Sequence, residues 1–268
     1  MSEAFFTVQQ VDDAGEWFVP TELARGPWDP DACHAGPPTG LLARALERAV
    51  PELRLARISV DLGRPVPMAG FRIVAEVLRS GRATGNTRAA LVDAEGVVRV
   101  PATGSHVAVS LGAPVLTTTR GSVATPRLAD AEPGPFPFAT QAVPDRRGFR
   151  DAVSVRYPAG HGPGTGPTTV WMHTVPLLAT EAASPFQRIC PLADCGNAFS
   201  RHAEPTEVQF VNTDLVIALH RDPVGDWLGS QVASHWQPTG VGLADALLFD
   251  DEGAVGRALQ TMLLRPAS

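Results

Sequence analysis

Residues Thr213–Leu264 read TDLVIALHRDPVGDWLGSQVASHWQPTGVGLADALLFDDEGAVGRALQTMLL. Four apolar or alternating runs lie here: Leu215–His220, Asp226–Ser234, Val241–Phe249 and Ala254–Leu264. They are split by Pro223-Val224-Gly225, Pro238-Thr239-Gly240 and Asp250-Asp251-Glu252-Gly253. Short β-rich runs punctuated in this way predict a meander of antiparallel strands. No helical stripe of useful length interrupts them.

The same arrangement occurs once before. Arg64-Pro65 precedes Asp93-Ala94-Glu95-Gly96 as Arg221-Asp222-Pro223 precedes Asp250-Asp251-Glu252-Gly253, with one offset throughout (221 − 64 = 253 − 96 = 157). Without a gap, Val74–Leu78 falls opposite Gln231–His235, and Ala89–Val92 opposite Ala246–Phe249. A period this long points to two copies of one small fold rather than to a solenoid.

Outward from the first meander lies a helix, expected over Thr39–Leu53. Leu41, Leu42, Ala45, Leu46, Ala49, Val50 and Leu53 take one face, and Arg44, Glu47, Arg48 and Glu52 the other. Gly36, Pro37 and Pro38 stand at its start, where proline is suited because first-turn N–H groups have no helical partner. Strands are expected at Phe5–Val11 and Glu16–Pro20 before it, and at Ala56–Leu62, Phe71–Arg79, Thr87–Asp93 and Val97–Ser110 after it. A sheet wrapped around one helix packs this order economically.

The second copy repeats the order, with strands at Phe149–Tyr157 and Thr168–Val175 and a less regular helix over Phe186–His202. Between the copies, Gly112–Thr140 is rich in Pro, Thr and small residues and reads as a linker or surface excursion, with Phe136 and Phe138 as anchors. The expected organisation is an N-terminal unit over 1–112, a linker over 113–147 and a C-terminal unit over 148–268. The fold class is α+β.

Bulk properties narrow the partners. A net charge of −6 and the absence of a basic cluster speak against a nucleic-acid partner. No apolar run reaches the ~20 residues a spanning helix needs, and MSEAFFTVQQ lacks the features of a signal peptide. Three cysteines, an odd number without CxxC, point to a reducing cytoplasm. Cys190, Cys195 and His202 fall short of the four ligands of a closed zinc site.

Four segments carry a resemblance when taken in order: HAGPPTGLLARAL (34–46), LADCGN (192–197), NTDLVIALHR (212–221) and GRALQTMLL (256–264). Over nearly its whole length the chain resembles the hotdog fold, and within it the double-hotdog acyl-CoA thioesterases of the bacterial acyl-CoA thioesterase II type. That resemblance implies two hotdog repeats forming a continuous sheet, an acyl-CoA substrate, no cofactor, and association into dimers or tetramers. It also implies a water positioned by an Asp on the second-half helix, a Thr at a strand start and a Gln near the C-terminus. Those roles fall on Asp194, Thr213 and Gln260. The family often has Gly-Gly at the start of the first helix, where this chain has Ala35-Gly36.

The chemistry of these residues fits thioester hydrolysis. Asp194, read as lying in the first turns of a helix, would be kept ionised by the helix dipole and act as base or orienter of the water. Thr213 and Gln260 can each donate and accept. The Gly36 backbone N–H is the candidate oxyanion donor, a contact worth ~3 kcal/mol. His34 and Cys195 read as structural. No metal or nucleotide is required, and no GxSxG elbow occurs. Two alternatives stand beside hydrolysis: a non-catalytic binder of acyl thioesters, and a hotdog enoyl-CoA hydratase or dehydratase. The second would need a His–Asp pair, and none is apparent in the sequence.

Overall fold

The computed structural model describes residues 3–13, 15–109, 124–137 and 146–267. The elements run β1 (Phe6–Asp12), β2 (Gly15–Pro20), α1 (Gly36–Ala49), β3 (Arg54–Asp61), β4 (Phe71–Ser80), β5 (Thr84–Val92), β6 (Val98–Val107) and β7 (Ala131–Gly134). They continue with β8 (Val153–Pro158), β9 (Thr168–Thr174), α2 (Pro185–Ala193), α3 (Gly196–Ser200), β10 (Val208–Asn212), β11 (Asp214–Leu219), β12 (Leu228–Trp236), β13 (Val241–Asp250) and β14 (Gly253–Pro266).

One sheet takes the order β1-β2-β4-β5-β6-β3-β11-β14-β13-β12-β9-β8-β7, and β10 pairs with β14. The halves meet at β3 and β11, paired antiparallel from Asp61↔Asp214 to Arg57↔Ala218. The 157-residue offset holds in three dimensions: β4 and β12 begin at Phe71 and Leu228, β5 and β13 at Thr84 and Val241. Gly96 (φ 78°) and Gly253 (φ 110°) both turn the chain in the left-handed region, as the repeated Glu-Gly requires. This is the expected α+β double hotdog.

Both helices differ from expectation. The first helix begins at Gly36, so both prolines sit in its first turn, and it stops at Ala49. Val50 precedes Pro51, whose ring disfavours the helical region for the residue before it, and takes φ −139°. The second helix is broken. Pro191 removes an N–H from α2, Asp194 caps its C-terminal end, and Gly196 begins the short α3. The expected strand Phe149–Tyr157 opens instead as a 3₁₀ turn over Phe149–Ala152.

Of the expected linker, 113–123 and 138–145 lie outside the described residues, Phe138 with them. Ala131–Gly134 is the edge strand β7, and Phe136 packs edge-on against Phe149 and Phe199 at 6.2 and 5.3 Å.

The two helices pack against each other, and polar ties fasten them. Arg44 on α1 is 5% exposed and bonds Glu16 of β2 at 3.0 Å and Glu181, ahead of α2, at 2.7 Å. The guanidinium holds both glutamates below the ordinary carboxylate range. Arg44→Ala is therefore expected to destabilise the fold by about 1–3 kcal/mol, less than a fully buried pair would lose because both glutamates can rehydrate. A depressed carboxylate contributes stability above its unfolded pKa and loses it as pH falls through the folded one. Chemical denaturation should thus show the largest gap between wild type and variant near neutral pH, shrinking below about pH 4.

Candidate active site

Asp194 lies where the halves meet. It caps α2, and its carboxyl faces the start of α1, the helix of the other half. The close approach depends on Gly36, where a Cβ would stand 2.6 Å from the Pro191 carbonyl oxygen. Of the Ala35-Gly36 pair, the glycine occupies the position at which the helices touch.

The carboxyl is 3% exposed and well supplied with donors. Asn212 Nδ2 donates to its Oδ1 at 2.8 Å, and Gln260 Nε2 donates to Oδ1 at 3.0 Å and to the Asp194 main-chain carbonyl at 2.8 Å. The Gly36 N–H adds a further stabilising contact. Burial outweighs all of them and pushes the Asp194 pKa up to about 7. The expectation of an Asp held ionised in the first turn of its own helix is thereby corrected. Asp194 is at a helix end, the favourable dipole belongs to α1, and desolvation wins.

Gln260 is 1% exposed on β14 and fully used: its Oε1 accepts the Asn197 N–H at 3.1 Å. Gly196 makes this fit, because a Cβ there would come within 2.7 Å of that oxygen. Thr213 is exposed, and its hydroxyl donates to the Thr261 carbonyl at 3.2 Å. The structure thus brings Asp194 and Gln260 together and aims Thr213 elsewhere, with Asn212 beside the carboxyl. The Gly36 N–H, expected to face an oxyanion, points to His34 Nδ1 at 3.2 Å.

The reason for Asn212 lies in the pairing of its strand. Asn212 opposes Met262, whereas Val216 opposes Leu259, so the register on β14 slips by one residue between them. Leu215, Ile217 and Leu219 point inward on β11, and plain alternation would turn Thr213 inward too. The bulge at Thr213 reverses the parity, and Phe210 and Asn212 point inward instead.

His34, expected to be structural, has its Nδ1 3.2 Å from Asp194 Oδ2. Its ring stacks on Phe149 at 3.7 Å and 9°. Burial lowers its pKa to about 3, so the imidazole is neutral. A cavity of about 260 Å³ opens over this group, lined by His34, Phe149, Asp194, Asn197, Ala198 and Phe210 among others. Exposed Arg64 and Arg146 also line it. Cys190 and Cys195 direct their thiols to the carbonyls of Phe186 and Pro191.

The other contact between a helix and the start of its neighbour is built differently. There Glu47 of α1 meets the start of α2, taking hydrogen bonds from Ser184 Oγ at 2.9 Å and Gln187 Nε2 at 2.6 Å.

Comparison with known proteins places the chain. Residues 24–107 match the acyl-CoA thioesterase N-terminal domain and residues 126–264 the acyl-CoA thioesterase C-terminal domain. The chain belongs to this acyl-CoA thioesterase family. Among solved structures it is similar to a protein from Novosphingobium aromaticivorans DSM 12444, at 18% identity over 97% of this chain and 98% of that one, with a TM-score of 0.75. It is also similar to the acyl-CoA thioesterase II TesB2 of Mycobacterium marinum, at 18% identity over 98% and 97%, with a TM-score of 0.65. A hot-dog-fold protein of Alicyclobacillus acidocaldarius aligns over 94% of each chain at 15% identity and a TM-score of 0.66. None of the curated proteins matches the chain in sequence. No helix among the described residues is long and apolar enough to cross a membrane.

Proposed function

We propose that the protein hydrolyses an acyl-CoA thioester to the free acid and coenzyme A, with Asp194 as the group that takes up the water's proton. The observation that carries this reading is a buried carboxyl with its pKa near 7, held by Asn212 and Gln260, at the wall of a cavity between the halves. A base is most effective when its pKa lies near the working pH. Gln260 and Asn212 fix the carboxyl in place. The apolar lining by Phe149, Ala198 and Phe210 suits an acyl chain, and Arg64 and Arg146 suit the phosphates of the carrier. Residues 1–112 and 148–268 are the two functional halves, each contributing a side of the site, and Phe136 and Arg146 of the intervening linker add to its wall.

Release of free thiol from acyl-CoAs of graded chain length tests the reading, and failure with every member would sink it. Within that assay Asn212→Ala should lower kcat by about tenfold or more, as loss of a hydrogen bond to a charged group costs ~1.5–3 kcal/mol. Thr213→Val should stay within about threefold of wild type, the usual range for a surface change.

The His34–Asp194 contact across the halves favours a second reading, addition or removal of water at the β-carbon of an acyl thioester. A change in enoyl-CoA absorbance without thiol release would single it out. The exposed Val241, Leu243, Leu259 and Leu263 on neighbouring strands β13 and β14 support association into dimers or tetramers. A cytoplasmic location is consistent with three free cysteines.

A further inference from the structure

We propose that His34 is a catalytic residue, relaying the proton between the attacking water and Asp194. This rests on the hydrolase reading and adds a group to it.

The geometry of Asp194 motivates the step. Its Oδ1 is occupied by Asn212 and Gln260, and its Oδ2 is covered by His34 Nδ1 at 3.2 Å. The carboxyl is left 3% exposed, while the His34 side chain is 16% exposed and borders the cavity. The other ring nitrogen, Nε2, has no hydrogen-bond partner among the described residues. A water in the cavity therefore meets the imidazole more readily than the carboxylate. Phe149 clamps the ring face to face at 3.7 Å, and the His34 N–H is tied to the Ala24 carbonyl at 2.8 Å. A ring fixed at both its plane and its backbone keeps Nδ1 on Gly36 and Asp194 and leaves Nε2 for a different partner.

Nδ1 faces two groups with opposite demands. It accepts the Gly36 N–H at 3.2 Å, and it stands equally near Asp194 Oδ2. With Asp194 ionised, Nδ1–H donates to Oδ2, the Gly36 N–H turns to the carboxylate, and Nε2 carries a lone pair toward the cavity. With Asp194 protonated, Oδ2–H donates to Nδ1, and Nε2 carries the hydrogen. The two arrangements differ by one proton, and the imidazole is neutral in both.

Hydrolysis uses both forms in turn. The water gives a proton to Nε2 while Nδ1–H passes its proton to Asp194 Oδ2, and the water oxygen bonds to the thioester carbon as the carbonyl π pair moves onto its oxygen, to return when the thiolate leaves. The C–S bond then breaks. The thiolate takes the proton from Nε2, Nδ1 recovers its proton from Asp194, and the acid and thiol leave with the pair restored. Burial supports this order, since it raises the Asp194 pKa to about 7 and lowers that of His34 to about 3. A carboxylic acid beside a neutral imidazole is favoured over a buried ion pair. In a triad whose Asp stays ionised the relay is excluded, and here the proton order is reversed.

The test is chemical rescue. His34→Ala opens a slot beside Phe149, and His34→Gln keeps the bulk and hydrogen bonding but cannot relay a proton. Both should lose about 100-fold or more in kcat for an acyl-CoA that wild type hydrolyses, with KM little changed. Free imidazole should restore part of the His34→Ala activity and none of the His34→Gln activity. The His34→Ala, Asp194→Asn double variant should be no slower than the slower single one, since the two act as a unit. Retention of kcat within a few-fold in either folded variant overturns the proposal. So does recovery by His34→Gln, or a His34→Ala defect that imidazole leaves untouched. A wild type that releases no thiol from any acyl-CoA would instead overturn the hydrolase reading beneath it.

Discussion

Asp194→Asn should lower kcat for thiol release by about 10²–10⁴-fold, the range a general base contributes. The fold should survive the change. Asn keeps the shape and still accepts from Asn212 and Gln260, and it removes a carboxyl that burial disfavours in its charged form. The sign of the linkage makes this a sharp expectation. The folded pKa is raised from 3.8 to about 7, so between those values the unfolded chain ionises Asp194 while the folded chain keeps it protonated. Stability contributed by the protonated form is lost as pH rises through that window. Asp194→Asn should accordingly unfold at the same temperature as wild type near pH 3, and at a higher one near pH 8. Loss of activity without loss of stability separates a chemical role from a structural one, as expected where function holds a group in an unfavourable state.

The same shift sets the pH dependence of wild type. The reacting form is the carboxylate, so kcat/KM should rise with pH and level off above about 7. A limb near 4 would mean an ordinary exposed carboxylate. The groups that face Asp194 are His34, Asn212, Gln260, the Gly36 N–H and the neighbouring Cys195, with no cationic side chain bonded to it among the described residues.

Gln260→Leu should have the second largest effect. It removes one donor from the Asp194 carboxyl and one from its carbonyl, and leaves the Asn197 N–H without its acceptor. Each buried polar group left unpaired costs ~1–3 kcal/mol, so the variant should be destabilised as well as slowed. Because a donor to the charged form is lost, the pH–rate limb should move upward from about 7. Gln260→Glu should not return the limb to its wild-type position, because a second carboxylate beside Asp194 raises the pKa of the pair. The opposite movement of the limb in Gln260→Leu would contradict this assignment.

Much of the fold was legible because it is repeated. Gly96 and Gly253 each sit in a tight turn closed by a residue in the left-handed region, so the 157-residue offset shows there although most other side chains of the two copies differ. Pro37 and Pro38 marked the helix start, although the helix begins at Gly36 rather than at Thr39, and the stop was misplaced because Val50 continues the apolar stripe while Pro51 forbids the helix. The site was legible only in part. Gln260 was legible through the resemblance, in the segment GRALQTMLL. Asn212 was not, since a one-residue bulge decides whether 212 or 213 points inward, and alternation along Leu215, Ile217 and Leu219 favours the wrong one. His34 and Asp194 come from different halves, and no local spacing announces a contact that forms only when α1 and α2 pack end to flank. The pKa of Asp194 is likewise a property of burial, which a sequence position does not display.

The most direct measurement is thiol release from a panel of acyl-CoAs, from acetyl to palmitoyl, by wild type and Asp194→Asn across pH 5–9. Wild type should turn over at least one chain length with a rising limb near 7, and the variant should show a flat rate lower by about 100-fold or more. Equal turnover by the two proteins would contradict the role of Asp194, and no thiol release from any acyl-CoA would contradict hydrolysis itself.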